Sequence, residues 1–162
     1  MKSSTAIAHP NFALIKYWGK SNISGNIPAM SSLAITLNTM TSETTVSFPN
    51  NLEQDTWILN GAKQTSLGQI QSPCDYLKKI SLIDEPYLIE STNNFPTAAG
   101  LASSASGIAS LVTALDSALE TKLSSQQMVE VAILGSGSAA RSLFSGFVHL
   151  EVMEDNLNCA TI

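Results

Sequence analysis

Three stretches of this chain of 162 residues carry hydroxyl-bearing side chains but no carboxylate, and two of them carry cations. All 13 acidic residues lie outside residues 1–42, 91–115 and 131–150, while Lys2, Lys16, Lys20 and Arg141 lie within them. Arg141 is the chain's one arginine, and the residues around it are otherwise free of charge. A guanidinium cannot shed its proton, so a buried one requires an anion or several oxygen acceptors. No acid nearby in sequence supplies the anion; a distant acid or a ligand must. The preceding run Gly135-Ser136-Gly137-Ser138-Ala139-Ala140 offers small side chains and free hydroxyls. Successive N–H groups in such turns form anion-binding nests, and arginine adds a forked, charge-assisted contact to phosphate or carboxylate.

The second stretch, Pro96-Thr97-Ala98-Ala99-Gly100-Leu101-Ala102-Ser103-Ser104-Ala105, leads into the strongest helical pattern of the chain. Small residues let phosphate oxygens approach the backbone, and the first N–H groups of a helix favour anions. Ser103 and Ser104 could cap that helix, touch phosphate or ligate Mg²⁺. The first stretch holds Asn11 through Lys20. On a strand, Lys16, Trp18 and Lys20 would share one face, with Tyr17 on the other. Two familiar nucleotide patterns are excluded. The Walker pattern is missing, and the G-x-G-x-x-A match at 135–140 follows a helix where a dinucleotide fingerprint follows a strand.

The elements that must position these residues are legible in outline. Ala6 to Trp18 reads as a strand with an irregular start, and 33–37 and 44–48 as further strands. Trp57-Ile58-Leu59 before Asn60-Gly61 predicts a hairpin. Ser72-Pro73 is read as a cap and first position of a helix running to about Ile80. Tyr87 to Glu90 is the next strand. Ile108, Leu111, Val112, Leu115 and Leu119 then make an apolar stripe on one helix face. Ser124 and Gln127 form a capping box for a second helix, with Met128, Val131 and Ala132 inward and Gly135 at its end. Phe147 to Val152 closes the pattern as a strand. The expectation is one α+β domain over residues 1–152, followed by a tail at 153–162.

These motifs resemble the GHMP kinase superfamily, and within it the diphosphomevalonate decarboxylase family. Pro96 to Ala105 is similar to the superfamily's phosphate loop. Asn11 to Lys20 and Gly135 to Ser142 are similar to the family's N-x-A-x-I-K-Y-W-G-K and G-S-G-S-A-x-R-S signatures. The resemblance runs from about Ala8 to Val152. It implies a ribosomal-protein-S5-like domain, with helices packed on a mostly antiparallel sheet. It also implies the conversion of mevalonate 5-diphosphate and ATP to isopentenyl diphosphate, ADP, phosphate and carbon dioxide, a step of isoprenoid biosynthesis. Phosphorylation of the 3-hydroxyl makes a leaving group; its departure builds positive charge at C3, and the carboxylate leaves as carbon dioxide. Such a reaction is catalysed by positioning and charge stabilisation. A related mevalonate or phosphomevalonate kinase or decarboxylase is the alternative, and a non-catalytic nucleotide-binding remnant is a further one.

By the same resemblance, Tyr17, Trp18, Gly19 and Lys20 hold the substrate diphosphate, and Ser136, Gly137, Ser138, Ala139, Ala140 and Arg141 wrap its other side. Arg141 meets the substrate carboxylate, Asn11 helps to orient it, and Lys16 polarises or positions the reacting group. Gly100, Leu101, Ala102, Ser103, Ser104 and Ala105 hold the ATP phosphates, with Ser104 at Mg²⁺.

The chain also departs from the family pattern. Members are about twice as long, and the later half carries a D-x-G-P-N-like segment with an essential aspartate. None of Asp55, Asp75, Asp84, Asp116 and Asp155 sits in such a motif. His149-Leu150 and Ser145 stand where Glu-Trp and Gly are usual. The expectation is a chain without the C-terminal GHMP domain, inactive or nearly so alone, with apolar surface that promotes self-association; a homodimer is one form this would take.

The totals exclude other classes. A net charge of −5 with no basic, aromatic-laced stripe argues against nucleic-acid binding. The uncharged run 91–115 is polar and proline-broken at its start, so a buried helix is favoured over a membrane span. Cys74 and Cys159 have neither metal spacing nor a disulfide framework, and the start of the chain has no apolar signal core, so the cytoplasm is the expected compartment.

Overall fold

The computed structural model describes residues 3–16, 19, 26–96, 102–153 and 157–162. Within them, two sheets enclose a layer of helices. The first sheet contains β1 (Ser3–Ala8), β4 (Ser42–Ser47), β7 (Leu88–Asn93), β5 (Thr56–Leu59) and β6 (Ala62–Lys63), in that order. The second contains β2 (Asn11–Ile15), β3 (Ser32–Thr36), β8 (Phe147–Val152) and β9 (Leu157–Thr161), also in that order. Neighbouring strands are antiparallel except β5 and β7, which are parallel. Three helices, α1 (Gln71–Ser81), α2 (Ser103–Leu119) and α3 (Ser125–Gly135), lie between the sheets.

The mixed α+β class agrees with expectation, but the single sheet divides into two. The break falls at His9-Pro10. Proline has no N–H to give a ladder, so the long strand expected from Ala6 ends one pairing and begins another. β1 pairs with β4 in the first sheet and β2 with β3 in the second. The Asn60-Gly61 hairpin is present, with both residues at positive φ (49° and 78°), as a type I′ turn requires.

Two boundaries are corrected. Helix α1 continues from a short 3-10 turn at Gly68–Ile70, so Ile70 holds its cap position. Ser72 is therefore inside the helix, and Pro73 sits in the first turn, where its missing N–H costs no bond. The segment expected as a tail contributes β9, paired with β8 from Val148–Thr161 to Val152–Leu157. Its run Leu-Asn-Cys-Ala-Thr is too short and mixed to announce a strand; pairing with β8 makes it one.

Helix α2 is the centre of the molecule. Ile108, Leu111, Val112, Leu115 and Leu119 are buried as the stripe predicts. They pack with Val46 and Ile89 of the first sheet, Cys74 and Leu77 of α1, and Val131 and Ala132 of α3. Each large aliphatic side chain contributes about 1.5–3 kcal/mol by burial. On the side facing β4, two serines meet two hydroxyls of the strand. Ser106 Oγ lies 2.6 Å from Ser42 Oγ, and Ser110 Oγ lies 2.8 Å from Thr44 Oγ1. Hydrogen bonds are worth about 0.5–1.5 kcal/mol each, so the aliphatic contacts hold the helix while the hydroxyls select its register.

Helix α3 has its capping box and is buried on two sides. Val131 and Ala132 face the core around α2, while Val129 and Ile133 face a second core with Val148, Leu150 and Cys159 of the other sheet. Reading one apolar face from the sequence missed the second. No helix among the described residues is long and apolar enough to cross a membrane.

Both cysteines are buried and unpaired. Burial pushes each thiol up to about 12, opposed at Cys74 by the nearby Tyr87 hydroxyl and at Cys159 by the charge of Arg141. A raised thiol pKa favours the neutral form in the fold. Its stabilising effect is thus present below the ordinary value of 9.0 and is lost as pH rises from there toward 12. The urea midpoint should fall between pH 8 and pH 10.5, and Cys74→Ala with Cys159→Ala should flatten that slope, as followed by circular dichroism.

Candidate functional site

The Gly/Ser/Ala turn begins where α3 ends. Gly135 is required there by space: a Cβ would stand 2.7 Å from Ile108 Cδ1, 3.0 Å from Gln69 O and 3.1 Å from Pro73 Cγ. The three helices thus meet at a point with no room for a methyl group. Ser136 leaves the helix in extended conformation, and its hydroxyl lies 3.1 Å from that of Ser138. The turn closes with Ala139 N–H donating to Ser136 O at 2.9 Å and continues as a 3-10 helix over Ala139–Leu143. From outside, Asn26 Nδ2 donates to Leu134 O (2.9 Å) and Gly135 O (3.2 Å), tying the β2–β3 connection to the end of α3.

Arg141 is buried, with 2% of its surface exposed. Its Nε and Nη2 donate to Asn11 Oδ1 at 3.3 and 3.2 Å, and Nη1 donates to Ser32 Oγ. Asn11 is buried as well and uses its amide in the other direction, donating to Ser138 O (3.1 Å) and Ser142 Oγ (2.8 Å). One asparagine therefore joins strand β2 to both the turn and the guanidinium. Ser142 was marked only as the last residue of the G-S-G-S-A-x-R-S resemblance, and Ser32 was not singled out from the sequence. The only signal of Ser32 is membership of a carboxylate-free stretch, which many serines share.

A cavity of about 350 Å³ opens beside this network, lined by Asn11, Phe12, Ala13, Lys16, Ala102, Ser138 and Arg141. All three carboxylate-free stretches contribute to it. Lys16 is exposed, just past the end of β2, whose pairing with β3 shifts between Ala13 and Ile15. It is not on the strand, so the alternation expected of Lys16, Trp18 and Lys20 does not apply to it. Ala102 occupies the cap position of α2 with φ 49° and ψ 40°, a left-handed conformation costing an alanine about 1–2 kcal/mol. It makes no side-chain cap, and neither Ser103 nor Ser104 serves as the cap; they are the first two residues of the helix. Strain of this kind at a loop beside a cavity is a marker of function. Ser103 and Ser104 also line a smaller pocket between α2 and the first sheet, with Trp57, Leu59, Ser91 and Asn93.

Some expected contacts fall behind the cavity wall. Ala105 is fully buried, and its N–H donates to Ala102 O at 2.8 Å. Ala139 and Ala140 are likewise fully buried, one in each core. Their small size lets the turn lie flat against the helices, and their side chains belong to the cores. Gly19 is exposed at φ 81°, within the left-handed region that favours glycine. Tyr17, Trp18, Lys20, Gly100 and Leu101 lie outside the described residues. Among the described residues, no three His, Cys, Asp or Glu side chains group to hold a metal ion. Ser103 and Ser104 offer hydroxyl oxygens at the start of α2, too few to hold a Mg²⁺ unaided.

Residues 8–161 match the family described as diphosphomevalonate decarboxylase-like N-terminal domain. The chain belongs to that family. The diphosphomevalonate decarboxylase of Candida albicans is 40% identical over 166 residues, covering 94% of this chain and 46% of the relative. The crystal structure of mevalonate diphosphate decarboxylase from Staphylococcus aureus superposes with a TM-score of 0.90 at 41% identity, covering 99% of this chain and 50% of that one. A solved complex of MDDEF with MVAPP, AMPPCP and magnesium gives a TM-score of 0.89 at 40% identity, with coverage of 99% and 50%. The chain thus spans about half the length of the relatives it matches.

The carboxylates fit this picture. Asp55 is paired with Lys78 at 2.9 Å and accepts from Tyr87 N–H, while Asp116 accepts from Thr121 Oγ1 and Leu123 N–H. Both are structural, and among the described residues no carboxylate lines the cavity beside Arg141. Replacing Asn11 by leucine removes two acceptor contacts from a buried guanidinium, a loss of about 2–3 kcal/mol. Arg141→Met should cost less, because it leaves no charge behind. Urea unfolding of both variants checks the order.

Proposed function

We propose that this chain forms the substrate- and phosphate-holding half of an ATP-dependent decarboxylase acting on mevalonate 5-diphosphate. The observation that carries the reading is the convergence of Asn11, Lys16, Ala102, Ser138 and Arg141 on one cavity. Three stretches distant in sequence and devoid of acid meet where a polyanion would sit. The relatives' solved complexes hold such ligands.

In this reading Arg141 receives the substrate carboxylate, held in place by Asn11 and Ser32. Ser136, Gly137 and Ser138 supply hydroxyl and N–H donors to the diphosphate, completed by Tyr17, Trp18, Gly19 and Lys20. Lys16, at the exposed rim, brings positive charge to the reacting end. Gly100, Leu101, Ala102, Ser103 and Ser104 hold the ATP phosphates at the start of α2, where aligned N–H groups favour negative charge. Mg²⁺ would neutralise phosphate charge, with Ser104 as its protein oxygen. The nucleoside would occupy the pocket of Trp57, Leu59 and Asn93 beside Ser103 and Ser104. ATP supplies the phosphoryl group that turns the 3-hydroxyl into a leaving group; the guanidinium holds the carboxylate in line until it departs as carbon dioxide.

A hydroxyl that attacks phosphorus needs a carboxylate to orient or deprotonate it. Among the described residues none lines this cavity, so on this reading the chain alone binds its ligands and turns them over slowly or not at all. A second reading, a nucleotide- or partner-binding protein without catalysis, draws on the same observation. The two unpaired, buried thiols are compatible with a reducing compartment, and we place the protein in the cytoplasm. Left uncovered, its apolar surface promotes self-association, including a homodimer.

Calorimetric titration with mevalonate 5-diphosphate, alone and with a nonhydrolysable ATP analogue, tests this function. Arg141→Ala and the exposed-site variant Lys16→Ala should each weaken binding at least tenfold, with circular dichroism verifying the fold. Unchanged affinity in both would remove this cavity from the function. Phosphate and ADP release at the rate of whole enzymes would refute the missing-base argument.

A further inference from the structure

The segment Asn26-Ile27-Pro28-Ala29-Met30-Ser31-Ser32 is short and uncharged, yet nearly every residue of it is tied to a different part of the molecule. Asn26 Nδ2 donates to Leu134 O and Gly135 O at the end of α3. Ile27 packs on the core of Val129, Ile133 and Ala140. Pro28 is buried, and its ring fixes one backbone angle of the segment. Ala29 N–H donates to Gly19 O at 3.3 Å. Ser31 Oγ accepts from Val152 N–H at 3.0 Å, and Ser32 Oγ accepts from Arg141 Nη1.

Two of these ties concern the loops that wrap the cavity. The last C=O groups of a helix find no partner within it. Ser136 N–H closes on Ala132 O, and the next carbonyls that a side chain reaches are those of Leu134 and Gly135, held by Asn26. A planar NH₂ carries two hydrogens, and asparagine is the shortest side chain that offers one. Those carbonyls stand immediately before Ser136-Gly137-Ser138, so holding them fixes where the turn begins. Through Ala29 the same segment holds the backbone at Gly19. We propose that Asn26 is a positioning residue that sets the distance between the loop containing Gly19 and the turn at 136–141, and with it the width of the diphosphate cradle. Placing a diphosphate between them rests on the proposed function; the coupling of the two loops does not. Asn26 touches neither the guanidinium nor the start of α2 in any hydrogen bond described above, so its effect is confined to one end of the ligand.

The test uses Asn26→Leu, which keeps the shape and removes both donors, and Ala29→Pro, which removes the N–H given to Gly19 at an exposed position. Calorimetric titration compares mevalonate 5-diphosphate with isopentenyl diphosphate, which shares the diphosphate and has no carboxylate. Each variant should bind both at least tenfold more weakly, by the same factor for the two. A nonhydrolysable ATP analogue should bind as it does to the unaltered chain, whereas a general loosening of the fold would weaken it too. Without ligand, Asn26→Leu should speed amide hydrogen exchange at Ala29 and Ala139 together at least tenfold and leave Leu115 of α2 unchanged. Wild-type affinity for isopentenyl diphosphate, an equal loss for the ATP analogue, or unchanged exchange at either alanine would each overturn the proposal. If the unaltered chain binds neither diphosphate, the proposed function falls, and exchange by itself then decides whether Asn26 couples the loops.

Discussion

The organisation of the site depends on a buried cation held by uncharged oxygens. Asn11 and Ser32 present acceptors to Arg141 from two strands of one sheet, and Asn11 also donates to the turn that carries the arginine. The contacts are mutual, so none of the three parts is placed without the others. Hydrogen bonds to amide and hydroxyl oxygens orient the guanidinium without themselves neutralising its charge. That charge is felt by Cys159, whose thiol it pulls down against the larger effect of burial.

Much of the site could be read from residue types because charge patterning survives folding. The absence of acids over residues 1–42, 91–115 and 131–150 singled out Lys16 and Arg141, the family resemblance added Asn11, and the fold brings the three to one cavity. Helix α2 was legible from its stripe and α3 from its capping box, since both signals are local. The division into two sheets was not. A proline between two strand-like runs permits either an irregular strand or a crossing to another sheet, and only the pairing partners, β4 and β3, decide. The same holds for β9, whose five residues have little strand character apart from β8. Within the site, Ser32 escaped notice because a serine that binds a guanidinium looks like any other serine. Ala139 and Ala140 were placed against a ligand by the family resemblance of their motif, and their methyl groups belong to the cores.

The layered build explains why the motif residues are so small. Gly135 sits where three helices touch, and the turn after it must pass between two cores before presenting Arg141. Glycine, serine and alanine are there as much for packing as for any ligand. The left-handed Ala102 is a different case: it stands at the cavity, where α2 begins.

The serines of α2 have one more effect. Four residues of helix rise about 6 Å and two residues of strand about 6.8 Å. Ser106 and Ser110 therefore keep step with Ser42 and Thr44, like two gear teeth in mesh. Sliding the helix along its axis by a single residue would face both hydroxyl pairs with the wrong neighbours. The height at which the start of α2 stands above the first sheet is thus set from behind, by a pair of matched periodicities, before any phosphate arrives.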